Sequence, residues 1–146
     1  MANVRKEEEE LRKLSVEMRF LEQTAENLQQ RISMVNAAMT DLTYANMTLD
    51  SIEKEKESAD LLVPIGGGSY IKVKLANAEQ VIVGMGAGVS IEKTLPEAKE
   101  IVKERLDELE KTMASGQQQF AQVAQRINVG RNRLESLLAT VRQGKT

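Results

Sequence analysis

One pattern constrains this chain more than any other. Apolar residues recur at alternating intervals of three and four between Val4 and Leu49, as in a heptad repeat. With Val4 at position a, the a positions are Val4, Leu11, Met18, Ala25, Ile32, Met39 and Asn46, and the d positions are Glu7, Leu14, Leu21, Leu28, Val35, Leu42 and Leu49. So narrow an apolar stripe cannot be buried within one helix. The repeat therefore predicts a long helix that coils around a partner.

The same spacing returns in the C-terminal part of the chain. Its positions are Val102, Leu106, Leu109, Met113, Gly116, Phe120, Val123, Ile127, Gly130, Leu134, Leu137 and Val141. Two such seams, separated by a short middle segment, predict an antiparallel coiled coil within one chain.

Two glycines, Gly116 and Gly130, lie on the second seam, where each costs about 1 kcal/mol of helix propensity relative to Ala. If the chain doubles back near Asn77, residue i would face roughly residue 153 − i. Gly116 would then lie near Ala37 and Ala38, and Gly130 near Phe20 to Glu22. Two interpretations stay open: the glycines allow close approach or bending of the helices, or they are merely weak, flexible points.

Composition excludes several classes of function. The 146 residues carry a net charge of −2, which gives no electrostatic case for binding nucleic acid. The chain has no Cys and no His, so disulfides and the commonest general base and metal ligand are absent. We expect no catalytic residues, no metal site and no cofactor.

The sequence also predicts no membrane association. The longest apolar run, from Val81 to Val89, is too short and glycine-rich to span a bilayer. The first ten residues contain no apolar stretch of the kind found in a signal peptide. We expect a cytoplasmic protein.

The middle segment has a different periodicity. Apolar and other residues alternate in four short stretches between residues 61 and 91, which predicts two β-hairpins in series. The glycines at 66–68 and 84–88 are interpreted as hairpin turns, because they lack the Gly-Lys-Ser/Thr of a phosphate-binding loop and the spacing of a dinucleotide fingerprint.

Three regions follow: an N-terminal coiled-coil helix over 1–57, the two hairpins over 58–94, and a C-terminal coiled-coil helix over 95–146. The second helix should begin at Thr94-Leu95-Pro96-Glu97, which has the Ser/Thr-x-x-Glu pattern of a capping box and a Pro in the first turn. Its expected end is near Arg142 to Gly144.

The hairpins should not be stable alone. Isolated hairpins are marginal in water, and we expect the coiled coil to leave their edges and one side uncovered. Pairing with other subunits, ideally into a closed barrel, would satisfy both requirements. The predicted subunit interface consists of Leu61, Val63, Ile65, Ile71, Val73, Leu75, Val81, Val83, Val89 and Ile91.

At this point the chain resembles a known family. The segments Leu62-Val63-Pro64-Ile65-Gly66-Gly67-Gly68-Ser69-Tyr70-Ile71 and Val83-Gly84-Met85-Gly86-Ala87-Gly88-Val89, placed between two long heptad helices, are similar to those of the alpha class of prefoldin subunits of the archaeal type. Room for two hairpins also favours the alpha class, because beta-class subunits have one.

The resemblance implies a hexamer of two alpha-class and four beta-class subunits around a double β-barrel. It implies an ATP-independent holdase, whose coiled-coil tips capture unfolded client proteins and pass them to a group II chaperonin. From the residues themselves, no nucleotide site is visible.

Client contacts are expected at the free helix ends. Val16 and Phe20 lie off the seam on one helix face, and Val129 and Leu138 lie off the seam near the other end. Seam residues there could become accessible where the helix ends fray. The predicted client-binding set is Leu11, Leu14, Val16, Met18, Phe20, Val129, Leu134, Leu137, Leu138 and Val141.

Two alternatives stay open. The chain could be a structural coiled-coil spacer that is merely oligomerised by its hairpins, or a filament-forming relative of prefoldin that assembles with itself.

Overall fold

A computed structural model describes residues 2–144. Two long helices, α1 (Ala2–Glu53) and α2 (Leu95–Gly144), flank four strands. The strands are β1 (Asp60–Gly66), β2 (Ser69–Lys74), β3 (Gln80–Gly86) and β4 (Val89–Thr94). They form two separate antiparallel hairpins, β1–β2 and β3–β4. The predicted fold class, two coiled-coil helices joined by two hairpins, is confirmed.

The chain divides into two units. The terminal unit combines the part of α1 up to Ala37 with the part of α2 from Lys111 onward. The hairpin unit runs from Ala38 to Glu110 and contains both hairpins with the adjoining helix ends.

In the terminal unit, the two helix segments run antiparallel with their heptad seams in contact. Side chains of α1 lie against three glycines of α2: Ile32 against Gly116 and Met18 against Gly130 on the seam, and Val4 against Gly144 at the helix end. Residue i therefore faces residue 148 − i. The predicted register of 153 − i was wrong by five residues.

The end of α1 also differs from the expected one. The helix ends at Glu53, four residues before the expected end at residue 57. The amides of Lys54 and Glu55 bond the carbonyls three residues back, which tightens the last turn, and the Ser58 amide then pairs with the Leu75 carbonyl at 2.8 Å. The segment 53–57 is Glu-Lys-Glu-Lys-Glu. It has good helix propensity but no apolar side chain to pack, so the helix gains nothing from continuing.

Every seam position predicted from the heptads is buried or half-buried, including the two exceptions to the apolar rule, Glu7 and Asn46. In the terminal unit the most buried seam side chains are Met18, Leu21, Leu137 and Val141. In the hairpin unit the core is a helix-end cluster of Leu49, Leu95, Ala98 and Val102.

The hairpin turns explain the glycines. Both turns have two central residues with positive φ, Gly67 and Gly68 in the first hairpin and Ala87 and Gly88 in the second, as in a type I′ turn. A register shift precedes each turn, between Pro64 and Gly66 and between Gly84 and Gly86. The interpretation of both glycine clusters as turns is confirmed.

The start of α2 is capped as predicted. The Glu97 amide donates to Thr94 Oγ1 at 3.3 Å, and the Leu95 amide donates to the Glu79 carbonyl at 2.9 Å. Because Thr94 is both the last residue of β4 and the helix cap, β4 continues into α2 without a linker.

Candidate functional site

Four off-seam apolar side chains of the terminal unit are exposed to solvent. The exposed fractions are 67% for Val16, 70% for Phe20, 64% for Val129 and 37% for Leu138. Val16 and Phe20 are four residues apart on α1, so they share a face. These side chains can contact another protein without any rearrangement of the helices.

The seam residues predicted for the same site are placed differently. Leu11, Leu14 and Leu134 are half-buried, whereas Met18, Leu137 and Val141 are buried between the helices. A client could reach the buried three only if the helices separated. Their assignment to the client site stays a prediction.

An open depression lies beside Val129 in the terminal unit. Leu14 and Gly130 line it, and charged side chains of both helices form its rim. Arg133 donates two hydrogen bonds to Glu10 Oε1, at 3.0 Å from Nε and 2.9 Å from Nη2. Arg126 Nη2 lies 3.7 Å from Glu17 Oε1. Exposed pairs like these contribute up to about 1 kcal/mol each, and here they place charge at the edge of an apolar surface.

The first hairpin has one aliphatic face. In its register Leu61 is opposite Val73, and Val63 is opposite Ile71, so these four side chains point to the same side. Val63, Ile65 and Ile71 are exposed, while Leu61, Val73 and Leu75 are half-buried. The structure therefore brings four of the predicted interface residues of this hairpin onto one face, which is exposed at Val63 and Ile71 and half-buried at Leu61 and Val73.

The second hairpin is partly covered by its own chain. Val81 and Val83 pack against the helix-end cluster and are half-buried. Val89 and Ile91 are exposed. The expectation that the helices leave both hairpins uncovered was therefore wrong for this face of β3.

Several exposed apolar residues were not among the predicted sites. On the hairpins these are Leu62, Tyr70, Ile82 and Met85, and on α1 they are Met34, Tyr44 and Met47. Ile82, at 77% exposed, lies on the face of β3 opposite Val81 and Val83. Its position after Val81 in an unbroken apolar run was a usable signal, because it gives the strand two apolar faces.

A charged cluster joins the helix ends in the hairpin unit. The Lys99 ammonium lies 2.9 Å from Asp50 Oδ1 and also contacts Glu53 Oε2. The hydrogen bond to Asp50, together with the one to Glu53, raises the pKa of Lys99 above its ordinary value. This cluster ties the last turn of α1 to the first turns of α2.

Within residues 2–144, acidic side chains form no group that could hold a metal ion. None of the helical segments the structure describes is long and apolar enough to cross a membrane.

Comparison with known proteins identifies the chain. The sequence profile of the prefoldin family, described as "Prefoldin subunit", matches residues 21–140. A prefoldin subunit alpha from Methanococcoides burtonii is 32% identical over 120 residues, which cover 82% of this chain and 87% of the relative. The chain belongs to the prefoldin family, in its alpha-subunit class.

Other prefoldin alpha subunits match the chain at similar identity and coverage. That of Methanosarcina barkeri is 33% identical over 134 residues, covering 88% of this chain and 93% of the relative. That of Pyrococcus horikoshii is 32% identical over 119 residues, covering 81% and 80%. These prefoldin relatives come from archaea, and the resemblance found in the sequence is confirmed.

The prefoldin fold is also found in a solved structure. A cryo-EM structure of filamentous PFD from Methanocaldococcus jannaschii matches with a TM-score of 0.66 at 23% identity, covering 76% of this chain and 92% of that chain. At this identity the match supports the prefoldin fold alone. Membership of the family places the chain among chaperone subunits.

Proposed function

We propose that this prefoldin subunit is part of an ATP-independent holdase that captures unfolded proteins at its helix ends. The observation that carries the proposal is the exposure of Val16, Phe20 and Val129 in the unit that contains both helix termini. Off-seam positions of a coiled coil are usually polar, and apolar side chains there gain free energy only when another surface covers them.

The chemistry of this surface suits clients of many sequences. Hydrophobic burial is non-directional, so it requires no specific partner geometry. The charged rim formed by Arg133 with Glu10 and Arg126 with Glu17 keeps the apolar area small and bounded. Such a surface holds exposed apolar segments of a non-native chain and has little affinity for a folded protein that has buried them.

Assembly through the hairpins forms the second part of the proposal. The partly exposed aliphatic face of β1–β2 and the edges of both sheets, which have only two strands each within residues 2–144, favour pairing with strands of other subunits. The partners are beta-class prefoldin subunits, four with two alpha-class chains, around a double β-barrel. The complex acts in the cytoplasm and passes its clients to a group II chaperonin.

One experiment tests capture and assembly together. The chain is mixed with a beta-class prefoldin subunit, the mass of the complex is measured, and light scattering follows the aggregation of a denatured protein without ATP. We expect a hexamer that suppresses aggregation. A complex that forms but gives no protection would favour the structural spacer, and filaments seen by electron microscopy of the chain alone would favour the self-assembling relative.

A truncated variant locates the capture site. Removing three heptads from both helix ends deletes the exposed tip residues and leaves both hairpins intact. Two heptads would not be enough, because Val16, Phe20 and Val129 would remain. We expect the hexamer to form and its holdase activity to be lost. Full protection by the truncated complex would exclude the tips as the client site.

A further inference from the structure

The two hairpins are held to the helices in different ways. Hairpin β3–β4 packs Val81 and Val83 against the helix-end cluster of Leu49, Leu95, Ala98 and Val102. Its second strand also runs directly into α2, with Thr94 shared between them. This hairpin is therefore fixed on one face and at one end.

A side chain of α2 fixes the same hairpin at a third point. The half-buried Arg105 donates from Nη2 to the Gly84 carbonyl at 2.8 Å, and the same nitrogen lies 3.7 Å from Met85 Sδ. Gly84 is paired with Ser90 in the strand register, close to the turn and distant in sequence from the Thr94 junction. A charged donor on a backbone carbonyl is among the stronger hydrogen bonds.

Hairpin β1–β2 has no comparable attachment in the described part of the chain. The hydrogen bonds from Ser58 to Leu75 and from Leu75 to Ala59 only extend its own ladder. Residues 54–59 separate β1 from α1, and residues 75–79 separate β2 from β3. Among residues 2–144, neither of these strands contributes a side chain to the helix-end cluster or makes a side-chain hydrogen bond to a helix.

We propose that Arg105 is a positioning residue that makes β3–β4 the preformed half of the assembly surface, whereas β1–β2 is oriented only when a partner subunit pairs with it. This inference rests on the proposed assembly through the hairpins and adds the order in which the two hairpins pair with a partner. The partner it fits is the edge strand of another prefoldin subunit, which meets the fixed hairpin first.

Preorganisation supplies the physical reason. A strand edge that is already oriented loses less conformational entropy on pairing than a hairpin that must be ordered at the same moment. Two-stranded hairpins are marginally stable alone, so attachment to the helices decides how well each edge is defined before assembly.

The test uses the full chain in three forms: wild type, Arg105→Ala and Arg105→Lys. Arg126→Ala is the matched control, because Arg126 is an exposed arginine of the same helix that lies in the terminal unit. Amide hydrogen exchange is measured on each chain alone at low concentration. Assembly is then titrated with a beta-class subunit, and mass is the readout.

In the wild type we expect residues 80–94 to exchange more slowly than residues 60–74. Arg105→Ala should reduce that difference, most strongly at residues 84–90 near the turn, and leave the helices' thermal midpoint unchanged. It should also raise the concentration at half-assembly about tenfold, the effect of losing one charged hydrogen bond of about 1.4 kcal/mol. Arg105→Lys keeps a positively charged donor group, so its exchange and its half-assembly concentration should lie between those of the wild type and Arg105→Ala. Arg126→Ala should match the wild type.

Equal exchange of the two hairpins in the wild type would overturn the inference, as would an Arg105→Ala chain that exchanges and assembles like the wild type. If the wild type does not assemble with a beta-class subunit at all, the proposed function fails. The exchange measurement on the chain alone still decides whether Arg105 positions the hairpin.

Discussion

Gly130 and Met18 are packed so closely that a Cβ atom built on Gly130 would lie 2.4 Å from Met18 Sδ. At Gly116 the corresponding distance, to Ile32 Cγ1, is 3.3 Å. Of the two interpretations of the seam glycines, the contacts support close approach of the helices, most strongly at Gly130.

The two glycines should respond differently to Ala. Gly116→Ala gains about 1 kcal/mol of helix propensity at a contact that Ile32 can relieve by a small shift, so it should be neutral or stabilising. Gly130→Ala forces buried Met18 to move, and overpacking costs about 1–3 kcal/mol. We expect net destabilisation, measured by urea unfolding followed by circular dichroism. In a Met18→Ala background Gly130→Ala should no longer destabilise, and a penalty that persists there would exclude the Met18 contact as its cause.

The hairpin turns provide a matched pair of substitutions. Ala87 has a φ of 52°, a left-handed conformation that costs a residue with a Cβ about 1 kcal/mol. Ala87→Gly should therefore stabilise β3–β4, and Gly67→Ala, at a φ of 59°, should destabilise β1–β2. Gly67→Ala meets no steric contact, since no atom lies within 4 Å of a Cβ built there. Hydrogen exchange of each hairpin is the measurement, and opposite shifts are expected. Shifts of the same sign would argue against a conformational origin.

The exposed residues of the terminal unit should carry client binding. We expect the double variant Phe20→Ser with Val129→Ser to need at least about tenfold more complex for half-suppression of aggregation, because burial of such side chains is worth about 1.5–3 kcal/mol each. The control is Tyr44→Ser with Met47→Ser, which removes two exposed apolar side chains from α1 in the hairpin unit. Equal loss in the two double variants would mean that exposed apolar residues act wherever they lie.

The faces of β3–β4 can be distinguished by charge. Ile91→Asp places a carboxylate within the predicted interface and should raise the half-assembly concentration at least about tenfold, because burying an unpaired charge costs several kcal/mol. Ile82→Asp, on the opposite and more exposed face, should have a smaller effect. Mass measurements of the mixture with a beta-class subunit provide the readout. A larger effect at Ile82 would move the interface to the other face of the hairpin.

The Lys99 cluster predicts a pH-dependent contribution to stability. Asp50 and Glu53 favour protonated Lys99, so its pKa in the folded chain is raised above the ordinary 10.5. The contribution is therefore fully present below pH 10.5 and is lost as the pH rises through the folded pKa. Lys99→Met should lower the thermal midpoint at pH 7, and its difference from the wild type should shrink as the pH is raised above 10.5.

Lys103→Met serves as the control, because it removes a cation from the same helix at an exposed position. It should leave the neutral-pH midpoint nearly unchanged. A Lys99→Met difference that stays constant through the alkaline range would show that packing of the side chain, and not its charge, stabilises the helix ends.

Local sequence patterns were sufficient for much of this protein. The spacing from Val4 to Leu49 predicted every buried or half-buried seam position, because burial in a coiled coil repeats with the helix period. The glycine clusters predicted the hairpin turns, because positive φ is nearly reserved for glycine. Thr94 and Glu97 predicted the start of α2, because capping depends on four neighbouring residues.

Tertiary structure decided the rest. After α1 ends at Glu53, the Ser58 amide pairs with the carbonyl of Leu75, seventeen residues away, a contact that no local pattern shows. The seams meet in a register five residues from the predicted one, because side-chain packing between the helices decides which turns face each other. Val81 and Val83 are covered by the helix-end cluster of Leu49, Leu95, Ala98 and Val102. The alternation of residues in β3 predicts that one face is buried, but it cannot tell whether a helix of the same chain or a partner subunit buries it. Periodicity states which residues must be buried, and only the folded chain determines what buries them.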